Sequence, residues 1–186
     1  MRAIWYACFV YILVQVLPGC KKEELPPPPP SGVAVESKDG KFSVILPDSF
    51  PQPEVSSKQV PTEVGEITMH LYSSDKPDGS TFIISYNDYP ENAFVKETPK
   101  MMDDIRDGAL GNLGATLEGQ NDFSFEGYPA RSLDFSIASE GYQGYGRLQY
   151  FIAKPRLYQV IFLASDRAVR DLEVIRKTFA SFKLLK

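Results

Sequence analysis

Along most of the chain, hydrophobic and polar residues alternate with the period of a strand, and twice the period lengthens to that of a helix. Val33 and Val35, then Phe42, Val44 and Leu46, flank Lys38-Asp39-Gly40 and predict a two-stranded hairpin that Pro47, Pro51 and Pro53 bring to an end. Val64, Glu66, Thr68, His70 and Tyr72 alternate with Ile67, Met69 and Leu71 in a further strand, and a turn over Asp75 to Gly79 leads into Thr81 to Tyr86. Thr98 followed by Pro99 is a cap followed by the residue best tolerated in a first helical turn. The helix it opens carries Met102, Ile105, Ala109 and Leu113 on one face and closes at Gly114. Gly108, Gly111 and Gly114 thin one side of that helix, which predicts close approach by another backbone at a cost of about 1 kcal/mol per interior glycine. Four more strands follow, Leu117 to Phe125, Ala130 to Ala138, Tyr145 to Ala153 and Leu157 to Ala164, parted by Gly127-Tyr128-Pro129, Glu140-Gly141 and Lys154-Pro155. The last contains Val160, Ile161, Phe162 and Leu163 in succession, so it is apolar on both faces and must be covered on both. Asp166 caps a final helix with Val169, Leu172, Ile175 and Phe179 at helical spacing and with Arg167–Asp171 and Glu173–Lys177 pairs outside. Strands, helix, strands, helix predicts an α+β domain, an antiparallel sheet of about six to seven strands between helices in an α/β/α arrangement.

The first 32 residues follow none of these periods. Arg2 precedes an apolar run from Ala3 to Leu17 of about 15 residues, short of the roughly 20 needed for a bilayer-spanning helix. It ends in Leu17-Pro18-Gly19-Cys20, which resembles the lipobox of bacterial lipoproteins. The resemblance implies a signal peptide over residues 1–19, cleavage between Gly19 and Cys20, and a diacylglyceryl, palmitate-type anchor on Cys20 that ties the protein to a membrane. Pro18 departs from the residues usual at that position. Lys21 to Gly32 then forms a tether over residues 20–32, in which Pro26 to Pro30 make a stiff spacer of about 15 Å. Lys21 after Cys20, rather than Asp, favours the outer membrane under the enterobacterial sorting pattern if the cell is diderm. Residues 33–186 are left for one domain with a real core.

Composition is globular, with 43% hydrophobic, 12% aromatic and 24% charged residues. The formal net charge of −4 becomes −5 once Arg2 leaves with the leader, and an acidic chain without a basic stripe argues against nucleic acid as a partner. Cys8 lies in the leader and Cys20 at its cleavage site, so no disulfide survives processing and the domain rests on its core.

Several motifs of the domain resemble the PsbP-like superfamily, which includes the photosystem II extrinsic protein and small bacterial lipoproteins of unknown role. They are Asp39-Gly40-Lys41-Phe42-Ser43-Val44 leading to Pro47, Ile84-Ser85-Tyr86-Asn87-Asp88-Tyr89-Pro90, Gly127-Tyr128-Pro129-Ala130-Arg131, Arg156-Leu157-Tyr158 and Phe179-Ala180-Ser181-Phe182. Ala130 stands where such bacterial domains often carry Gly. The resemblance implies an antiparallel sheet between helices and, across members of diverse function, partner binding rather than catalysis.

The residues themselves offer little chemistry. The one histidine, His70, sits mid-strand, so no triad base accompanies a nucleophile and a His/Cys zinc site is excluded by count. Asp103, Asp104 and Asp107 have the Asp-Asp-x-x-Asp spacing of magnesium-diphosphate sites, but acids in the first turns of a helix are expected from its dipole, and such sites need a second acidic cluster. No catalytic residue, metal or cofactor is assigned. Gly141-Tyr142-Gln143-Gly144-Tyr145-Gly146 is either a flexible hairpin or a recognition surface presenting Tyr142 and Tyr145. Tyr89 and Arg131 form a second candidate, with an Asp88–Arg131 pair expected to hold a turn. The expected role is therefore a membrane-anchored envelope protein whose domain binds an envelope protein or a ligand. A carboxylate-based envelope hydrolase and a purely structural envelope component are the alternatives.

Overall fold

The computed structural model describes residues 31–62, 65–95 and 98–186. The leader, Gly19, Cys20 and the tether up to residue 30 lie outside the described residues. The chain runs β1 (Val33–Ser37), β2 (Phe42–Leu46), β3 (Glu54–Thr62), β4 (Gly65–Asp75), β5 (Thr81–Asp88), a 3-10 turn (Glu91–Val95) and α1 (Thr98–Leu113). It continues through β6 (Ala115–Phe125), β7 (Tyr128–Ser139), β8 (Tyr142–Ala153), β9 (Arg156–Ala164), α2 (Arg167–Arg170), α3 (Glu173–Ser181) and β10 (Lys183–Leu184). Seven strands form one antiparallel sheet in the order β3-β4-β5-β9-β8-β7-β6, and β1-β2-β10 form a second, smaller one. The fold is the expected α+β class.

The doubly apolar β9 sits at the centre and explains the layering. Val160 and Phe162 belong to a core on one face with Phe42 and Val44 of β2 and Ile175 and Phe179 of α3. Ile161 and Leu163 point to the other face and join Met101 and Met102 of α1 with Leu133, Phe135 and Leu148. On the first face Tyr86, Tyr158 and Phe151 stand side by side across β5, β9 and β8, and Phe42 and Phe182 pack onto them. Below the surface the two sides are independent cores separated by one backbone layer.

The first hairpin forms in the expected place, with Ser37 opposite Phe42, but its loop has four residues, and the positive φ falls on Lys41 rather than Gly40. Gly40 is required for space instead: a Cβ there would meet Ser37 Oγ and the Tyr86 ring at 2.7 Å. Tyr158 donates to the Gly40 carbonyl at 2.8 Å, and Arg156 donates to the Asp39 carbonyl at 2.7 Å, so the turn is held onto the large sheet.

Three expectations need correction. β3 was not anticipated, because as an edge strand it is exposed on both sides of the pleat and shows no alternation; Pro61 fits there because an edge N–H needs no ladder partner. The C-terminal helix is broken at Leu172, whose extended backbone (φ −58°, ψ 143°) starts α3 afresh and leaves its side chain 49% exposed rather than in the core. The break accompanies the burial of Arg170, which bonds Asp171 and Glu118, while Arg167 bonds Glu118 and Glu173 bonds Arg176, so neither expected i,i+4 pair forms. Finally, a Cβ at Gly108 or Gly111 would touch nothing, so no backbone approaches α1 there; Gly114, at φ +59°, does end the helix.

Candidate binding site

α1 lies over only part of the sheet. Met101 and Met102 are buried in the core shared with β7, β8 and β9, while the side of the helix carrying Ile105 and Ala109 faces β4. Between them is a cavity of about 620 Å³, walled by Ile67 and Met69 of β4, Leu157 and Ile161 of β9, and Ile105 and Ala109 of α1. Asp104, Asp107 and Gln159 also line it, and Gly108 leaves its helix side open. Its walls are mostly apolar, with a few polar groups among them. Asn87, opposite Leu157 in the ladder and 1% exposed, has a side-chain nitrogen with no hydrogen-bond partner among the described residues.

The sequence-derived candidates fall in three places. Tyr89 lines this cavity: its N–H donates to the Pro155 carbonyl at 2.9 Å, and burial pushes its phenol above the ordinary value. Arg131 does not meet Asp88. It is 5% exposed and holds α1 to the sheet, donating from Nε and Nη2 to Asp122 at 2.6 and 2.9 Å and from Nη1 to Asp103 at 2.6 Å. Beside it, Tyr150 donates to the Met102 carbonyl at 2.7 Å, and burial pushes its phenol up to about 12. Asp88 pairs instead with Arg156, which holds its carboxyl below the usual range and lies over the Tyr86 ring at 4.6 Å. Tyr142 opens β8 opposite Ser139, and the ring of Tyr145, opposite Ser136 three rungs on, lies under the Arg167 guanidinium at 4.8 Å. That end of the sheet is opposite the one holding Tyr89.

Titratable chemistry is sparse. His70 stacks on Tyr86 with ring centroids 4.6 Å apart. Asp103 and Asp107 both bond Arg106, whose guanidinium lowers the Asp107 carboxyl, so two acids of the Asp-Asp-x-x-Asp spacing are engaged by arginine. Among the described residues lining the cavity, the carboxylates both come from α1 and do not face each other across it. No cluster of His, Cys, Asp or Glu among the described residues is placed to hold a metal ion, and none of their helices is long and apolar enough to cross a membrane. Sequence reasoning missed the Asp88–Arg156 pair and the cavity. Arg156 carried a signal, since it is the cation on a short turn beside two aromatic strands; the cavity carried none, because it depends on how much of the sheet α1 covers.

No protein-family profile and no curated protein matches the sequence. Solved structures do match in fold. The cyanobacterial PsbP protein (CyanoP) of Synechocystis sp. PCC 6803 superposes with a TM-score of 0.54 at 9% identity, covering 82% of this chain and 91% of its own. LpqN of Mycobacterium tuberculosis, described as involved in cell envelope biogenesis, superposes with a TM-score of 0.50 at 16% identity, covering 83% and 90%. At these identities the likeness is one of fold, and the fold is PsbP-like.

Proposed function

We propose that this protein is a lipid-anchored component of the cell envelope whose PsbP-like domain is a non-catalytic binding module, with its working site in the cavity beneath α1. The address rests on Leu17 to Cys20, with Cys20 acylated and the five prolines holding the domain at a short distance from the bilayer, in the outer membrane where there are two. The observation that carries the binding role is the cavity itself. Its volume of about 620 Å³ lies within the range of small-molecule sites, roughly 300 to 1,000 Å³, and its walls are apolar. A compact cavity of this kind favours an apolar small ligand over a protein, whose standard interface covers about 800 Å² on each partner. Tyr145, the residue on which a protein-facing loop would depend, is already engaged by Arg167.

Two measurements test this reading. Metabolic labelling with an alkyne palmitate analogue should mark the wild-type protein and not the Cys20→Ala variant; equal labelling, or none in either, overturns the anchor. The full chain should enhance the fluorescence of N-phenyl-1-naphthylamine saturably, and Gly108→Leu, whose side chain has open space to enter, should abolish the enhancement while keeping the fold. Absence of saturable binding by the wild type refutes the cavity as the site.

A further inference from the structure

The face of the sheet opposite α1 carries a second concavity of about 640 Å³, between α3 and strands β6, β7 and β8. Its floor is a ladder of polar side chains: Asn121 of β6 stands opposite Ser132 of β7, which stands opposite Gln149 of β8. Asn121 is exposed and Ser132 and Gln149 are half-buried, so the ladder offers two amides, each with two donors and an acceptor, and one hydroxyl at the surface. The next rung is Gly119 opposite Asp134 opposite Arg147. Gly119 follows an irregularity in the β6 register and leaves its backbone open, with no atom nearer than 4.0 Å to where a Cβ would stand. Half-buried Phe123 supplies most of the apolar ring surface in the walls, Phe179 being 4% exposed.

Each cation lining this cleft has a carboxylate partner. Arg147 donates to both oxygens of Asp134, at 2.7 and 3.0 Å, and Arg176 of α3 pairs with Glu173 at 2.8 Å. A site for an anion would leave a cation uncommitted, and a site for an apolar ligand would strand the amides. What remains is a neutral ligand with many hydroxyl groups, each both donor and acceptor, and with C–H surface to lie against phenyl rings. We propose that this cleft is a saccharide-binding site, taking a neutral oligosaccharide across the Asn121-Ser132-Gln149 ladder. The proposal stands apart from lipid anchoring and from the cavity beneath α1, because its residues are on the other face of the sheet.

The test is a titration of the full chain, held in a polyoxyethylene detergent that carries no sugar headgroup, with chitotetraose, maltotetraose and cellotetraose. At least one should shift the side-chain amide NMR signals of Asn121 and Gln149 saturably, with affinity unchanged by added salt. Asn121→Ala and Gln149→Ala should each weaken it about tenfold, roughly the loss expected when one well-placed polar contact goes, with melting temperatures held near wild type. The proposal is overturned if none of the three sugars shifts those signals saturably. It is overturned equally if binding survives both substitutions, or if sulfate moves the same signals in a salt-dependent way. Fluorescence of N-phenyl-1-naphthylamine should be untouched by either substitution, which separates this site from the apolar cavity.

Discussion

Replacing Arg131 with Ala removes a guanidinium that joins three elements, since it bonds Asp103 on α1 and Asp122 on β6 from its own place on β7. Taking one partner from a fully buried ion pair costs about 3–5 kcal/mol, most of it the charge left stranded. Here the carboxylates are 48% and 59% exposed and are rehydrated when the arginine goes, so the cost falls toward that of the lost charge-assisted bonds and the packed stem. We expect about 2 kcal/mol, which for a domain of this size is a drop of about 4–8 °C in melting temperature. The pH dependence fixes the cause. Arg131 holds the Asp122 carboxyl below its ordinary value, so the folded protein binds its proton less readily than the unfolded chain does. The stabilisation is thus complete above the unfolded aspartate value of about 3.9 and is lost as the pH falls through the lowered one. Urea titrations of wild type, Arg131→Ala, Asp122→Asn and the double variant should give a coupling of about 0.5–3 kcal/mol at neutral pH that shrinks below about pH 4. A single-variant loss under about 0.5 kcal/mol, or a coupling unchanged by acid, refutes the reasoning.

Two glycines make opposite predictions. A Cβ at Gly146 would sit within the Phe135 ring, which is fully buried in the α1-side core, so Gly146→Ala should cost about 1–3 kcal/mol by overpacking, read as an earlier urea midpoint with near-UV circular dichroism changed around Phe135. Gly111→Ala meets nothing and lies in a helix interior, so it should raise stability by about 0.5–1 kcal/mol in the same titration.

What could be read from the sequence was whatever a single burial pattern announces. β9 announced itself because two apolar faces leave no ambiguity about its central place, and α1 did so because Met102, Ile105, Ala109 and Leu113 share a stripe that the structure turns toward the sheet. The edge strand β3 stayed hidden for the converse reason: with neither face buried, Glu54 to Gln59 carry no periodic signal. Leu172 misled because spacing alone places it on the helical stripe, whereas the helix breaks there, next to the buried Arg170 that bonds Asp171 and Glu118. Pairing of Asp88 was misassigned along the chain because its partner, Arg156, is 68 residues away and adjacent only through the β5–β9 ladder. Both concavities were illegible for the same reason, since they are set by which strands a helix fails to cover.

That failure of cover follows from dimensions. Seven strands spaced about 4.8 Å apart make a sheet about 29 Å wide, while one helix with its side chains is about 10–12 Å across. A single helix on each face therefore cannot close the sheet, and α1 leaves the β3–β4 side bare, as α3 with the small sheet leaves β6 to β8. On the α3 side the uncovered strands carry the polar ladder Asn121, Ser132 and Gln149. On the α1 side the cavity is lined instead by Ile67, which is 6% exposed, Met69 and Ile161. Apolar walls around a cavity of this volume favour an occupant as the reason for their hydrophobicity, and this is why the groove beneath α1, rather than any loop, is the proposed working site.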